Sequence, residues 1–204
     1  FKMSQGEYIQ WFDSDDLMGE LFLENRQKYF LKNNFDMIVS STSLFNKKKN
    51  DNELIWNIIN KNNSNYKSIS KRFIKQDMPY LPNSVVWYKL FLNKTGLWDE
   101  QLKSWQDWEF HVRMLQHNPK MKFLSKKIDN FYRLNNSNKI SAKEKNREFF
   151  VNIEFSISKV FKLVTKSNFP KNLSYEFKNL ISRVLIRLPI QNGYYKLAFK
   201  MVFK

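Results

Sequence analysis

A short acidic stretch near the start of the chain carries residues that could bind a metal ion. Asp13, Asp15 and Asp16 follow directly on a β-prone segment, residues 7–12, in the order Asp-Ser-Asp-Asp, which we call the acidic turn (residues 13–16). The pattern predicts a buried strand that ends in this turn, at the sheet edge where α/β proteins bind ligands. Carboxylate oxygens at this spacing suit a hard divalent cation such as Mg²⁺ or Mn²⁺, which can bridge two phosphates of a nucleotide diphosphate.

Other interpretations of the acidic turn must be weighed against a metal site. An Asx-rich turn that only caps the following helix has the same composition. An EF-hand loop that starts at Asp13 would have Glu24 as its twelfth residue, as required, but Met18 stands where glycine is needed, and this excludes it. A phosphatase with an aspartyl nucleophile is disfavoured, because Leu17 occupies the position where such enzymes usually have Thr or Val. On these residues alone the capping turn remains open.

The elements that must position these carboxylates alternate along the chain. The spacing of apolar residues predicts strands over residues 7–12, 35–40, 123–124 and 128–133, and a strand or buried segment over 84–88. It predicts helices over residues 17–31 and 107–115. Gly96 has the position of a cap that ends a short helix. Strands separated by helices predict an α/β fold with a mostly parallel sheet.

The sequence changes in character near residue 142, where we place a domain boundary. Apolar residues from Phe149 to Val164 recur every three or four positions and predict an amphipathic helix, and a second helix is predicted over residues 173–188. From Lys139 to the end there are 14 basic and 4 acidic side chains, so this part holds most of the net charge of +16. Such an extension suits the surface of an anionic membrane, or it is an ordinary helical tail with solvated charges.

The composition excludes several classes of protein. The chain has no cysteine, which excludes disulfides, thiolate metal sites and a cysteine nucleophile. Aromatic residues make up 17%, too many for a disordered chain. No apolar run approaches the roughly 18–20 residues that span a bilayer. We find no RNP-like, zinc or helix-turn-helix signature, so nucleic-acid binding is disfavoured.

Several motifs, taken in order, resemble those of family 2 glycosyltransferases of the GT-A fold. The matching segments are Gly6 to Ile9 with Asp13 to Asp16, Gly96 with Trp98 to Glu100, Gln106 to Glu109, and Tyr132-Arg133 with Ile140-Ser141. The resemblance covers residues 1–142 and implies the C-terminal half of a GT-A domain, a Rossmann-like α/β fold, with a basic helical extension over residues 143–204. It implies inverting transfer of a sugar from a nucleotide-sugar donor to a glycan or lipid-linked acceptor. The Asn/Lys-rich composition resembles that of proteins from AT-rich bacterial genomes and suggests, by analogy, surface polysaccharide synthesis in the cytoplasm or at the cytoplasmic face of the membrane.

The resemblance assigns the donor side of the site to the acidic turn. Asp15 is then the principal ligand of Mg²⁺ or Mn²⁺, and Asp13 supports the metal or the ribose of the nucleotide. Asp16 shapes the turn and, with Arg133, belongs to the donor-binding residues.

The acceptor side is assigned to the second acidic segment. Asp107 is then the general base, and its alternative is a carboxylate favoured by a helix N-terminus. Trp105 and Trp108 are candidates to stack on an acceptor sugar, or they are core residues. The chain has Gln106 where the family usually has Glu.

Two departures from the family limit these expectations. Asn135-Asn136 follows the Tyr-Arg pair, where relatives often have His. The chain starts at Phe1, and we expect the nucleobase-binding half to precede it, so that this segment alone would not turn over. The alternative to an enzyme is a non-catalytic transferase-like module or a basic protein that binds membrane surfaces.

Overall fold

A computed structural model of the chain describes residues 1–33, 35–49, 55–56, 65–134, 146–166 and 173–202. The chain divides into two compact units. Unit 1 consists of Phe1–Asn65, Met78–Leu97 and Asn118–Asn138, and unit 2 consists of Tyr66–Asp77, Trp98–His117 and Lys139–Lys204. The boundary predicted near residue 142 lies outside the described residues and stays a prediction.

Unit 1 is built on a sheet with six strands among the described residues. The strands are β1 (Tyr8–Ile9), β2 (Leu17–Met18), β3 (Met37–Phe45), β4 (Ile55–Trp56), β5 (Val85–Tyr88) and β6 (Met121–Arg133). Their order is β1-β5-β3-β6-β2, and β4 pairs with β3. The pairing of β3 with β6 is parallel, and the other pairings of these strands are antiparallel.

The expected mostly parallel sheet is therefore wrong for the described strands. The alternation of strand and helix correctly predicts that β1 and β3 run in the same direction. However, β5 lies between them and is antiparallel to both. Sequence alternation relates successive strands, but it does not show whether a later strand inserts between them.

Eight α-helices accompany the sheet in the described part of the chain. They are α1 (Phe22–Asn33), α2 (Tyr66–Ile74), α3 (Lys89–Thr95), α4 (Gln106–Gln116), α5 (Arg147–Lys166), α6 (Leu173–Ile181), α7 (Leu188–Gln191) and α8 (Tyr195–Val202). The helix expected from residue 17 begins only at Phe22, because Leu17 and Met18 pair with β6 instead. The two short strands expected at 123–124 and 128–133 are one strand, β6. Gly96 caps α3 as expected, with φ 94° and its N–H donating to the Leu92 carbonyl at 2.9 Å.

A buried ion pair ties α1 to β6 inside unit 1. The Arg26 guanidinium donates to both carboxylate oxygens of Asp129, each at 2.9 Å. Asn25 donates to the same carboxylate at 3.0 Å, and the Gly19 N–H donates to the Asp129 carbonyl at 2.8 Å. A buried carboxylate with this many donors is held firmly, and the loss of one charged partner from a buried pair typically costs about 3–5 kcal/mol. The pair therefore fixes the chain just after the acidic turn.

Unit 2 is helical in its described part. Within it α2 packs against α4 and α6, and α4 packs against α5. The predicted helix over 149–164 is confirmed as α5, and the one over 173–188 as α6 with a π-helical continuation, Ser182–Arg187. None of the described helices combines the length and apolar character needed to cross a bilayer.

Candidate active site

The three carboxylates of the acidic turn differ in exposure. The turn connects β1 to β2 and is closed by the Asp16 N–H, which donates to the Asp13 carbonyl at 3.2 Å. Asp13 is exposed and Asp15 is half-buried, whereas Asp16 is only 6% exposed. Asp13 and Asp15 are therefore the carboxylates that an incoming ligand can reach.

Both carboxylate oxygens of Asp16 are engaged inside unit 1. Oδ1 accepts a hydrogen bond from the Arg133 backbone N–H at 2.9 Å, and Oδ2 accepts one from the Asn83 amide. Burial is the largest influence on this carboxyl and raises its pKa to about 6, with Asp15 and Asp13 adding to the rise and the two hydrogen bonds opposing it. This arrangement supports the interpretation that Asp16 shapes the turn.

Asn83 extends the contact of Asp16 into the sheet. It lies in a 3₁₀ turn, Pro82–Ser84, directly before β5. The Asn130 amide donates to the Asn83 side-chain oxygen at 3.3 Å and to the Thr42 hydroxyl at 2.9 Å, and all these groups are buried. Polar groups buried in this way are costly unless they are hydrogen-bonded, so the network fixes one position for the turn relative to β3 and β6.

Sequence reasoning missed Asn83. The text Leu-Pro-Asn-Ser before an apolar run indicates a turn, and in turns Asn is usually a surface residue. Only the pairing of β5 with β3 brings it under the acidic turn, and no local pattern encodes that.

Arg133 lies beside the acidic turn, at the end of β6. Its Nε donates to the Asp15 carbonyl at 2.8 Å and an Nη donates to the Asn46 carbonyl at 3.2 Å. The guanidinium also stands 4.4 Å from the ring centroid of Phe45. These contacts fix the backbone of Asp15, and a role in donor binding stays a prediction. Ile140-Ser141 and Asn135-Asn136, which follow in the sequence, lie outside the described residues.

The donor atoms of the turn fit a metal ion that arrives with a diphosphate. Among the described residues there is no group of three or more His, Asp or Glu side chains that could hold a metal ion by itself. Asp13 and Asp15 supply carboxylates that are more exposed than that of Asp16, whose two oxygens accept hydrogen bonds from Asn83 and Arg133. Mg²⁺ in proteins is commonly held by one or two carboxylates together with substrate phosphates, and Asp13 and Asp15 match that requirement.

Asp107 stands in the first turn of α4, in unit 2. It is half-buried, and its Oδ1 accepts a hydrogen bond from the Trp108 N–H at 2.8 Å. Trp105, just before the helix, adopts a left-handed conformation with φ 56°. The position of Asp107 agrees with a carboxylate stabilised by a helix N-terminus and also with a base that is held in place there.

The two tryptophans beside Asp107 have different surroundings. Trp108 is 2% exposed, and its indole N–H donates to the Phe73 carbonyl at 2.8 Å, which favours the core alternative. Trp105 is half-buried and meets Trp108 edge-on, with ring centroids 5.3 Å apart. Trp105 is the tryptophan that retains a surface for a ligand.

The acidic turn falls within a match to a known family. The family model described as glycosyl transferase family 2 matches residues 1–97. Over these residues, just under half of the chain, the sequence is similar to glycosyl transferase family 2. The matched segment, which we call the family 2 segment (residues 1–97), contains β1 to β5 and the acidic turn, and it ends with α3. Among curated proteins, none matches the chain in sequence.

Solved structures extend the likeness to the fold of the chain. Residues 1–349 of S. aureus TarS in complex with UDP-GlcNAc superimpose with a TM-score of 0.58 at 15% identity, covering 92% of this chain and 50% of that one. The same segment of TarS in complex with UDP gives a TM-score of 0.54 at 14% identity, covering 92% of this chain and 48% of that one. The chain has the GT-A fold that the motifs predicted, and it spans about half the length of the TarS segment.

Proposed function

We propose that this chain is part of a glycosyltransferase that moves a sugar from a nucleotide-sugar donor to a glycan or lipid-linked acceptor. The observation that carries the proposal is the acidic turn of the family 2 segment, in which buried Asp16 fixes the turn and leaves Asp13 and Asp15 accessible. The fold supports it, since TarS, with the same fold, has been solved in complex with UDP-GlcNAc. A role in bacterial surface polysaccharide synthesis is the context we propose for this transfer.

On the donor side, Asp15 and Asp13 would hold Mg²⁺ or Mn²⁺, which supplies positive charge that offsets the charge of the leaving diphosphate. Asp16 and Arg133 keep the turn in position, because they hold it through side-chain and backbone hydrogen bonds. Because the turn is held in place, its carboxylates would need no rearrangement during the reaction.

On the acceptor side, Asp107 takes the proton of the acceptor hydroxyl. The hydroxyl oxygen forms a bond to the anomeric carbon while the bond from that carbon to the diphosphate breaks and its electron pair leaves with the diphosphate. Attack from the side opposite the leaving group inverts the anomeric configuration. Trp105 offers a ring face on which an acceptor sugar can stack.

The first prediction tests both carboxylates in the full-length protein. Asp15→Asn should abolish donor binding that depends on Mg²⁺ or Mn²⁺, and Asp107→Asn should lower kcat by about 10²–10⁴-fold with donor binding retained. Asp77→Asn is a matched control, because Asp77 is an exposed aspartate of unit 2 that is paired with Arg72. Transfer and donor hydrolysis are measured by release of the nucleotide.

An Asp15→Asn, Asp107→Asn double variant that transfers sugar as fast as the wild type would overturn the proposal. That result would favour a non-catalytic transferase-like module. Circular dichroism of each variant separates loss of chemistry from loss of fold.

We also propose that the basic extension contacts an anionic membrane surface. In support, α8 exposes Tyr195 and Phe199 together with Lys196 and Lys200, a combination typical of helices that lie in a lipid headgroup region. Co-sedimentation with anionic vesicles tests this, and Tyr195→Ser with Phe199→Ser should reduce the bound fraction.

A further inference from the structure

A pocket of about 410 Å³ lies within unit 2, and no residue of the acidic turn lines it. Its charged lining residues are Lys75, Glu176, Arg183 and Arg187. We call it the basic pocket, because three of these side chains are cations and one is an anion. Its volume is in the range of pockets that hold small ligands, about 300–1,000 Å³.

Glu176 leaves the basic pocket with a net positive charge. Its Oε1 lies 3.4 Å from the ammonium of Lys75 and 3.4 Å from that of Lys71, so one carboxylate is shared by two lysines. The carboxylate therefore positions Lys75 at the pocket, and it does not neutralise the positive charges of the two arginines.

The two arginines line the pocket from one helical segment and are four residues apart, about one turn. One Nη of Arg183 donates to the Lys75 carbonyl at 3.0 Å and to the Gln76 side-chain oxygen at 3.2 Å, and these bonds restrict the guanidinium. Arg187 is exposed and forms no ion pair or hydrogen bond with another residue in the described part of the chain. Planar guanidinium groups bind phosphate oxygens through two parallel N–H donors.

The backbone that carries these arginines is a π-helix, Ser182–Arg187. The Leu188 N–H donates to the carbonyl of Arg183, five residues earlier. Pro189 explains the wider turn, because proline lacks an N–H and its ring clashes with the carbonyl four residues before it in an α-helix. Isolated π-helical turns occur frequently at functional sites.

We propose that the basic pocket binds a phosphoryl group, either of a free phosphate or diphosphate anion or of a lipid headgroup. Arg183 and Arg187 supply the paired donors, and Lys75 adds a third positive charge. This site is independent of the transferase proposal, since it uses none of the residues assigned to sugar transfer.

The experiment uses the full-length protein with Asp15→Asn and EDTA throughout, so that a metal-dependent donor site does not contribute. Pyrophosphate binding is measured by calorimetry, and vesicle binding is measured with phosphatidylcholine with and without phosphatidic acid. Arg183→Gln with Arg187→Gln should weaken anion binding by about tenfold or more, since charge-assisted hydrogen bonds are lost. Lys28→Gln with Lys32→Gln removes the same charge from exposed positions one turn apart on α1, outside the basic extension, and should change binding by less than about twofold.

A gain of binding provides a second test that misfolding cannot imitate. Glu176→Gln removes the competing carboxylate and should strengthen pyrophosphate binding severalfold. Loss of pyrophosphate binding in the arginine variant assigns a free anion, and loss confined to phosphatidic acid vesicles assigns a lipid headgroup. The proposal is overturned if both double variants lose binding equally, or if neither probe binds in a way that depends on the arginines.

Discussion

At the level of single residues, the acidic turn shows how burial divides the work among carboxylates of the same chemistry. Asp13 and Asp15 remain accessible, whereas Asp16 is enclosed by the Arg133 backbone and the Asn83 amide. A metal ligand must be open to its ion, so in the proposed function Asp13 and Asp15 suit that role, while the enclosed Asp16 supports the turn. The sequence Asp-Ser-Asp-Asp does not by itself reveal which residue has which task.

A prediction at this scale concerns Asn83. Asn83→Ala would leave one carboxylate oxygen of buried Asp16 without its donor and should lower the free energy of unfolding by about 1–3 kcal/mol. In the full-length protein it should also lower transfer activity, because the acidic turn loses a support.

Urea unfolding measures this effect, and Asn152→Ala serves as its control. The Asn152 side chain forms no hydrogen bond with another residue of the described chain, so its variant should stay within about 0.5 kcal/mol of the wild type. Equal stability of the two variants would show that the Asn83 amide does not support the turn.

At the level of elements, Gly19 joins the acidic turn and β2 to α1. A methyl group at this position would meet Cα, Cβ and the carbonyl oxygen of Asp129 at 3.2 Å, and these atoms are held by the ion pair with Arg26. Gly19→Ala should therefore lower the free energy of unfolding by about 1–3 kcal/mol. Gly6→Ala is the matched control, since its nearest contact would be the Tyr8 carbonyl at 3.5 Å and its effect should be small. Chemical denaturation distinguishes them, and similar values for both variants would contradict the prediction.

The sequence predicts an element well where apolar residues repeat over a long segment. It predicts an element poorly where the structure of a short segment depends on its strand partner. α5, α4 and the cap at Gly96 follow from local patterns, and the structure has them. The short strands β1, β2 and β5 depend on partners elsewhere in the chain, which is why Leu17 and Met18 were expected in a helix. For the same reason the motifs identified the acidic turn, while Asn83 and the Arg26–Asp129 pair required the fold.

At the level of the whole molecule, His111 makes stability depend on pH. It is fully buried against the rings of Phe73 and Phe110, with centroids 5.4 Å away in each case, and burial lowers its pKa to about 3. The folded chain therefore keeps His111 neutral, while the unfolded chain protonates it below about pH 6.5. The contribution of His111 to the free energy of unfolding is therefore at its full value above about pH 6.5, and it decreases as the pH falls from there towards 3.

His111→Gln should flatten this dependence, because Gln does not titrate. Between pH 7.5 and pH 5 the wild type should lose about 2 kcal/mol more than the variant. Urea unfolding at both pH values checks the difference, and carboxylates that titrate in this range affect both proteins alike. Parallel pH curves for the two proteins would show that His111 accepts a proton in the folded state.

The pairing of the sheet has a consequence for the order of folding during synthesis. β1 pairs with β5 at Tyr8↔Tyr88, and β2 pairs with β6 at Leu17↔Phe131. Contacts between residues so far apart in the sequence form slowly, and a ribosome releases the early strands long before their partners. Asp16 gains its backbone donor only when Arg133 has emerged. The acidic turn is therefore made well before the segments that hold it, and it reaches its native position only after β6 has been made.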